Sequence, residues 1–175
     1  LASETIIPKR QQAAHELERG LPPKWVVISN KTLVAPNRRS REIDLIVVGT
    51  HQVFVIEVKS IHGMVTGNEE TWVLPSGDSM PSPISRVDQT ARMLAGLLRD
   101  CLQRQIPEDG WLVTGLVLLT ANTDLRVVDA RRDQQVVRLG DAAAALQDAN
   151  RRLHSEAVAQ GRTAICERLR VLSDA

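Results

Sequence analysis

Apolar residues crowd three stretches of this chain: Ile43 to Val48, Val53 to Val58, and the near-continuous run WLVTGLVLLT from Trp111 to Thr120. Runs of this length bounded by turn residues read as strands, and the third, framed by EDG and ANTD, reads as one buried on both faces. WVVIS (Trp25 to Ser29) predicts an earlier strand, TWVLP a short one behind the turn-rich HGMVTGNEE, and QVVRL the last. Elsewhere the spacing is helical. Pro8 to Arg19 starts on a proline, ends at Gly20 and sets Ala13, Ala14 and Leu17 on one face. MPSPISRVDQTARMLAGLLRDCLQRQ opens as a proline-punctuated loop and becomes an amphipathic helix through Val87, Ala91, Leu94 and Leu98, expected to pack on the sheet. Asp141 suits an N-cap, from which AAAALQDANRRLHSEAVAQ predicts one long helix, with RTAICERLRVL forming another after Gly161. This order predicts an α/β or α+β class: a mixed sheet flanked by helices.

Charge interrupts the pattern in one place. REIDLIVVGTHQVFVIEVKS, Arg41 to Ser60, carries Asp44, Glu57 and Lys59 among aliphatics. Side chains alternate along a strand, so Glu57 and Lys59 share a face with Val53 and Val55. A hairpin closed over GTHQ with Val48 opposite Val53 places Asp44 directly across from Glu57. Carboxylates so opposed, roughly 4.5 to 5.5 Å apart at Cβ, repel. A lysine two residues on offsets part of this, and a divalent cation held by both acids offsets more. The competing reading is a solvated ion pair on an edge strand. The strongly apolar opposite face and the aliphatic flanks weigh against it.

Composition narrows the function classes. The chain has 175 residues, 43% hydrophobic and 25% charged, which suits one globular domain, or one domain with a helical appendage. No membrane-span run or signal pattern occurs, so a cytoplasmic location is expected. The chain begins at Leu, from which we expect a piece of a longer protein. Cys101 and Cys166 lack any metal-binding spacing and read as idle thiols. A net charge of +1 is a poor signature for strong nonspecific DNA binding. Basic clusters exist at Lys9 and Arg10, at Arg38, Arg39 and Arg41, at Arg131 and Arg132, and at Arg151 and Arg152; solvated faces are the default reading of each. With three Trp, one Phe and no Tyr, aromatic platforms for stacking bases are scarce.

Asp44 followed by EVK at Glu57 to Lys59 resembles the PD-(D/E)xK nuclease superfamily. More narrowly, the hairpin with Gly63, Gly67 and Trp72 resembles the NERD, or nuclease-related, domain, over a stretch running from LPPKWVVISN to about Leu98. The resemblance implies a restriction-endonuclease-like α/β core over residues 1–140, with 141–175 as a helical extension packed on it. It implies hydrolysis of DNA phosphodiesters with Mg²⁺ or Mn²⁺ held by Asp44, Glu57 and the Val58 carbonyl, Lys59 orienting the attacking water, and Gln89 near the active face. It also implies nucleic acid as partner and a fused kinase or helicase region. The pattern selects neither a monomer nor a dimer. Many members add an acid from the first helix; here that region reads KRQQAAHELERG, so the candidates are Glu16, Glu4 upstream, or Glu42 on the strand of Asp44. A missing acid would leave a weak or inactive module that binds nucleic acid or a partner.

Other candidates are thinner. His15, His51, His62 and His154 show no HxH or HExxH spacing and read as surface or loop histidines. No GxSxG elbow or GxxxxGK[ST] loop is present. Asp124, Asp129 and Asp133 follow the buried strand and read as capping or solvating acids.

Overall fold

Pro8 stands at the N-cap of helix α1 (Lys9–Gly20), one position before the first turn the spacing predicts for it, and Gly20 is the last helical residue. The Pro8 carbonyl accepts from the backbone N–H of Gln11 and Gln12, and Ala13, Ala14 and Leu17 are buried as expected. The computed structural model describes residues 8–102, 112–127 and 135–175. After α1 come β1 (Val26–Val34), β2 (Ser40–Val48), β3 (Val53–Lys59), β4 (Gly63–Gly67), β5 (Thr71–Val73), β6 (Ser79–Pro81) and α2 (Pro83–Leu102). The remainder is β7 (Val113–Leu119), β8 (Thr123–Val127), β9 (Val136–Arg138), α3 (Leu139–Arg152), α4 (Glu156–Arg170) and β10 (Ser173–Asp174). Trp111, Arg131, Arg132, Asp129, Asp133 and Glu4 lie outside the described residues.

The main sheet is six-stranded in the order β10-β1-β2-β3-β7-β9. β1, β2 and β3 form an antiparallel meander, whereas β7 and β9 join parallel. The sheet is thus mixed and covered by helices on both faces, as a restriction-endonuclease-like fold requires. Alternation divides its side chains between two cores. Leu45, Val47, Phe54 and Ile56 pack with Ala13 and Leu17 of α1 and Leu146 of α3. Ile46, Val48, Val53 and Val55 pack with Val87, Leu94 and Leu98 of α2 and Val158, Ile165 and Leu169 of α4. Each fully buried Val, Leu, Ile or Phe among them contributes roughly 1.5 to 3 kcal/mol. Gly115 of β7 lets α2 lie close, since a Cβ there would stand 3.0 Å from the Val87 backbone.

The alternation breaks between β1 and β2. Ile28 and Leu33 of β1 enter the same core, and so do Ile46 and Ile43 of β2. Between them stands Asn30 with φ 58°, a left-handed residue across from Asp44 in the β1–β2 register. The sheet therefore turns over locally where the first acid sits.

Several expectations need correcting. HGMVTGNEE and the proline-punctuated loop contribute β4 and β6, which with β5 and β8 make a second sheet in the order β6-β5-β4-β8. QVVRL holds β9, but the last strand is β10, paired antiparallel to β1. Asp141 lies inside the first turn of α3, whose N-cap position is Arg138. The long helix from Asp141 breaks after Arg152, because the Gln52 side chain takes the Leu153 carbonyl (2.6 Å) and Ser155 starts α4 by accepting from Val158 N. Gly161 is interior to α4.

Candidate active site

The β2–β3 hairpin pairs Val48 with Val53 and runs in that register to Leu45 and Ile56. There the ladder stops. In place of the next backbone pair, the Asp44 Oδ2 atom accepts a hydrogen bond from the Val58 backbone N–H at 2.8 Å. Asp44 therefore satisfies the backbone of the strand that carries Glu57, and the carboxylate is fixed by its own fold. On its other side β3 remains paired with β7, in parallel, from Val53 through Lys59.

Glu57 and Lys59 point to the α2 side and meet there, with Lys59 Nζ 3.0 Å from Glu57 Oε1. Arg86, at the start of α2, brings its Nε to 3.9 Å from the same oxygen. The first helix supplies a cation too: Arg10 Nε lies 3.3 Å from Asp44 Oδ1, and Arg10 Nη1 donates to Asn30 Oδ1 at 2.8 Å. Asp44 and Glu57 are mostly shielded, with side chains 20% and 14% exposed, so these contacts are less screened than surface pairs. A cavity of 380 Å³ opens between Pro8 to Arg10, the ends of β2 and β3, and the first turns of α2. Among the described residues its wall holds three carboxylates, Glu42, Asp44 and Glu57, and four cations, Lys9, Arg10, Lys59 and Arg86.

Of the residues singled out by sequence, Asp44, Glu57, Val58 and Lys59 share this cavity. Gln89 stands apart: it is exposed and its Oε1 accepts from Arg41 Nη2 at 2.5 Å, outside the lining. Among the further acids, Glu42 lines the cavity, and Glu16 is exposed on α1 away from it. Asp124 pairs with Arg126 on the surface, and Arg151 and Arg152 both pair with Asp148. Arg86 was not singled out by the sequence reading, although it lies one helical turn before Gln89. Arg10 figures in the sequence only as half of the basic pair Lys9 and Arg10, in the helix where an acid is expected.

A family model described as "Nuclease-related domain" (NERD) matches residues 7–120. The chain belongs to the NERD family. A relative, "Probable kinase PglW" of Streptomyces coelicolor, is 38% identical over 78 residues, covering 42% of this chain and 5% of that protein. The chain thus matches a small fraction of that relative's length.

NERD proteins, as nuclease-related folds, generally use divalent metals, so the fit of this chain's donors to one is a structural question. The available donors are carboxylate oxygens and the main chain of Val58, the hard set that Mg²⁺ and Mn²⁺ take. Among the described residues, Asp44 Oδ1 and Glu57 Oε1 are engaged by side-chain cations, contacts that a divalent ion can replace. The donor set fits. Among the described residues no helix is long and apolar enough to cross a membrane.

Proposed function

We propose that this NERD chain is a metal-dependent nuclease module acting on DNA phosphodiesters. The observation that carries the reading is the convergence of Asp44, Glu57 and Lys59 on one cavity that Lys9, Arg10 and Arg86 also line. Asp44 and Glu57, with the Val58 carbonyl, would hold Mg²⁺ or Mn²⁺, which supplies charge to the phosphoryl oxygens and acidifies water. Lys59, held against Glu57, orients the attacking water and stabilises charge developing at the phosphate. Arg86 and Lys9 line the approach and attract the phosphate backbone. The kinase named in the Streptomyces relative supports a fused kinase region in the full-length protein.

Arg10 favours a second reading. The first helix contributes a guanidinium to Asp44, and a cation there competes with the metal. The module is then a nuclease-fold binder of nucleic acid or of a partner, with weak catalysis or none. Incubating plasmid and linear DNA with the chain in Mg²⁺ or Mn²⁺, beside Asp44→Ala and Lys59→Ala, separates the readings. Cleavage lost in both variants supports the first. Cleavage that persists unchanged in both removes the proposed site, and absent cleavage with no calorimetric metal binding supports the second.

A further inference from the structure

At the opposite end of the β2–β3 hairpin from Asp44, two histidines from distant parts of the chain meet. His51 lies in the turn between β2 and β3, and His154 in the junction between α3 and α4. Their rings stack with centroids 3.7 Å apart and planes 25° from parallel. Glu156, the first residue of α4, places Oε1 2.6 Å from His154 Nε2. One potential ligand atom from each of the three residues lies within 4.8 Å of the others. Local spacing could not reveal this group, because the two histidines come together only through tertiary structure.

The backbones beneath these side chains are pinned to each other. His51 N donates to the buried Asn150 Oδ1 at 2.9 Å, and Asn150 Nδ2 donates to Thr50 Oγ1 at 2.9 Å. Ser155 N donates to the His51 carbonyl at 3.0 Å, and the buried Gln52 Nε2 donates to the Leu153 carbonyl at 2.6 Å. Gly49 completes the fit, since a Cβ there would stand 2.5 Å from Asn150 Oδ1. The turn and the helix junction are therefore held together by contacts that do not use the imidazoles.

We infer that His51, His154 and Glu156 form a binding site for a borderline divalent cation of the Zn²⁺ class. Two imidazoles and one carboxylate are a known Zn²⁺ ligand set that leaves a position open. Hard Mg²⁺ prefers oxygen donors, so this site and the Asp44–Glu57 pair select different ions. His51 Nδ1 lies 3.1 Å from Thr50 Oγ1; with the proton on Nδ1 the hydroxyl accepts it, and the Nε2 lone pair is left for the metal. His154 and Glu156 are 48% and 66% exposed, which lets both side chains turn to converge on one ion while the anchored backbone stays in place. A bound ion would tie the hairpin turn to the start of α4 and stabilise the folded chain by linkage.

The test titrates Zn²⁺, and Co²⁺ as a spectroscopic probe, into the metal-stripped chain carrying Asp44→Asn and Glu57→Gln, so that the carboxylate pair does not contribute. One equivalent of saturable uptake, Co²⁺ visible absorption bands and a Zn²⁺-dependent rise in Tm are expected. Adding His51→Ala or His154→Ala should each weaken binding by roughly tenfold or more, at least the loss typical of disturbed metal-site partners. The anchoring bonds use the His51 backbone, so the metal-free melting of His51→Ala should match its parent; this separates ligand loss from unfolding. Absence of saturable uptake, unchanged affinity in both histidine variants, or displacement by millimolar Mg²⁺ would each overturn the site. None of these outcomes bears on the carboxylate pair.

Discussion

Arg10 of the first helix and Asp44 of the second strand face each other at 3.3 Å, with Asn30 bracing the guanidinium from the strand between them. The pair is partly exposed, so its worth is under about 1 kcal/mol. Arg10→Ala should then tighten Mn²⁺ binding by about twofold to fivefold, the range set by that energy, with little change in stability. Arg10→Glu should tighten it further by restoring an acid. Calorimetric titration reads both, and unchanged affinity in the two variants would show that the guanidinium does not compete.

Asp44 has a structural duty as well as its proposed chemical one, and two substitutions separate them. Asparagine keeps an oxygen for the Val58 N–H, whereas alanine leaves that donor without its partner. Asp44→Ala should lose about 1 to 3 kcal/mol in urea unfolding, and Asp44→Asn much less. Both should lose DNA cleavage by about 100-fold or more.

Lys59 and Glu57 are paired at 3.0 Å, so removing the ammonium leaves the carboxylate freer. Lys59→Met should lower cleavage about 100- to 1,000-fold while leaving Mn²⁺ affinity equal or higher. Cleavage assays beside calorimetry test this split, and a parallel fall in metal binding would contradict it.

Gly115 sets how closely α2 approaches the sheet, and α2 carries Arg86. With its Cβ 3.0 Å from Val87 backbone atoms, Gly115→Ala should cost about 1 to 3 kcal/mol by overpacking, measurable by thermal or urea unfolding.

The hairpin was legible because its aliphatic runs and short turn permit few registers, and the register that opposes Val48 to Val53 is the one formed. α1, α2 and β7 were legible for the same reason: strong periodicity and marked boundaries. The second sheet was not, because its strands are short and partly polar, and β4 finds its parallel partner β8 only after α2 and β7 have intervened. The break between α3 and α4 is set by a buried glutamine far away in sequence, which no local helix propensity reports. Within the site, alternation put Glu57 and Lys59 on one face. The left-handed Asn30 and the arginine it holds became visible only in three dimensions.

Asn30 also grips the other end of the chain: its backbone carbonyl accepts from Ala175 N at 2.9 Å, and its side-chain amide donates to the Ala175 carbonyl at 3.0 Å. One residue thus ties the sheet edge at β10 to the guanidinium on Asp44. Peeling Ser173–Asp174 from that edge removes two of the bonds that hold Asn30 in place, and the hold on Arg10 slackens with them. A two-residue strand at the sheet's edge is in this way a tension line to a carboxylate far from it in sequence.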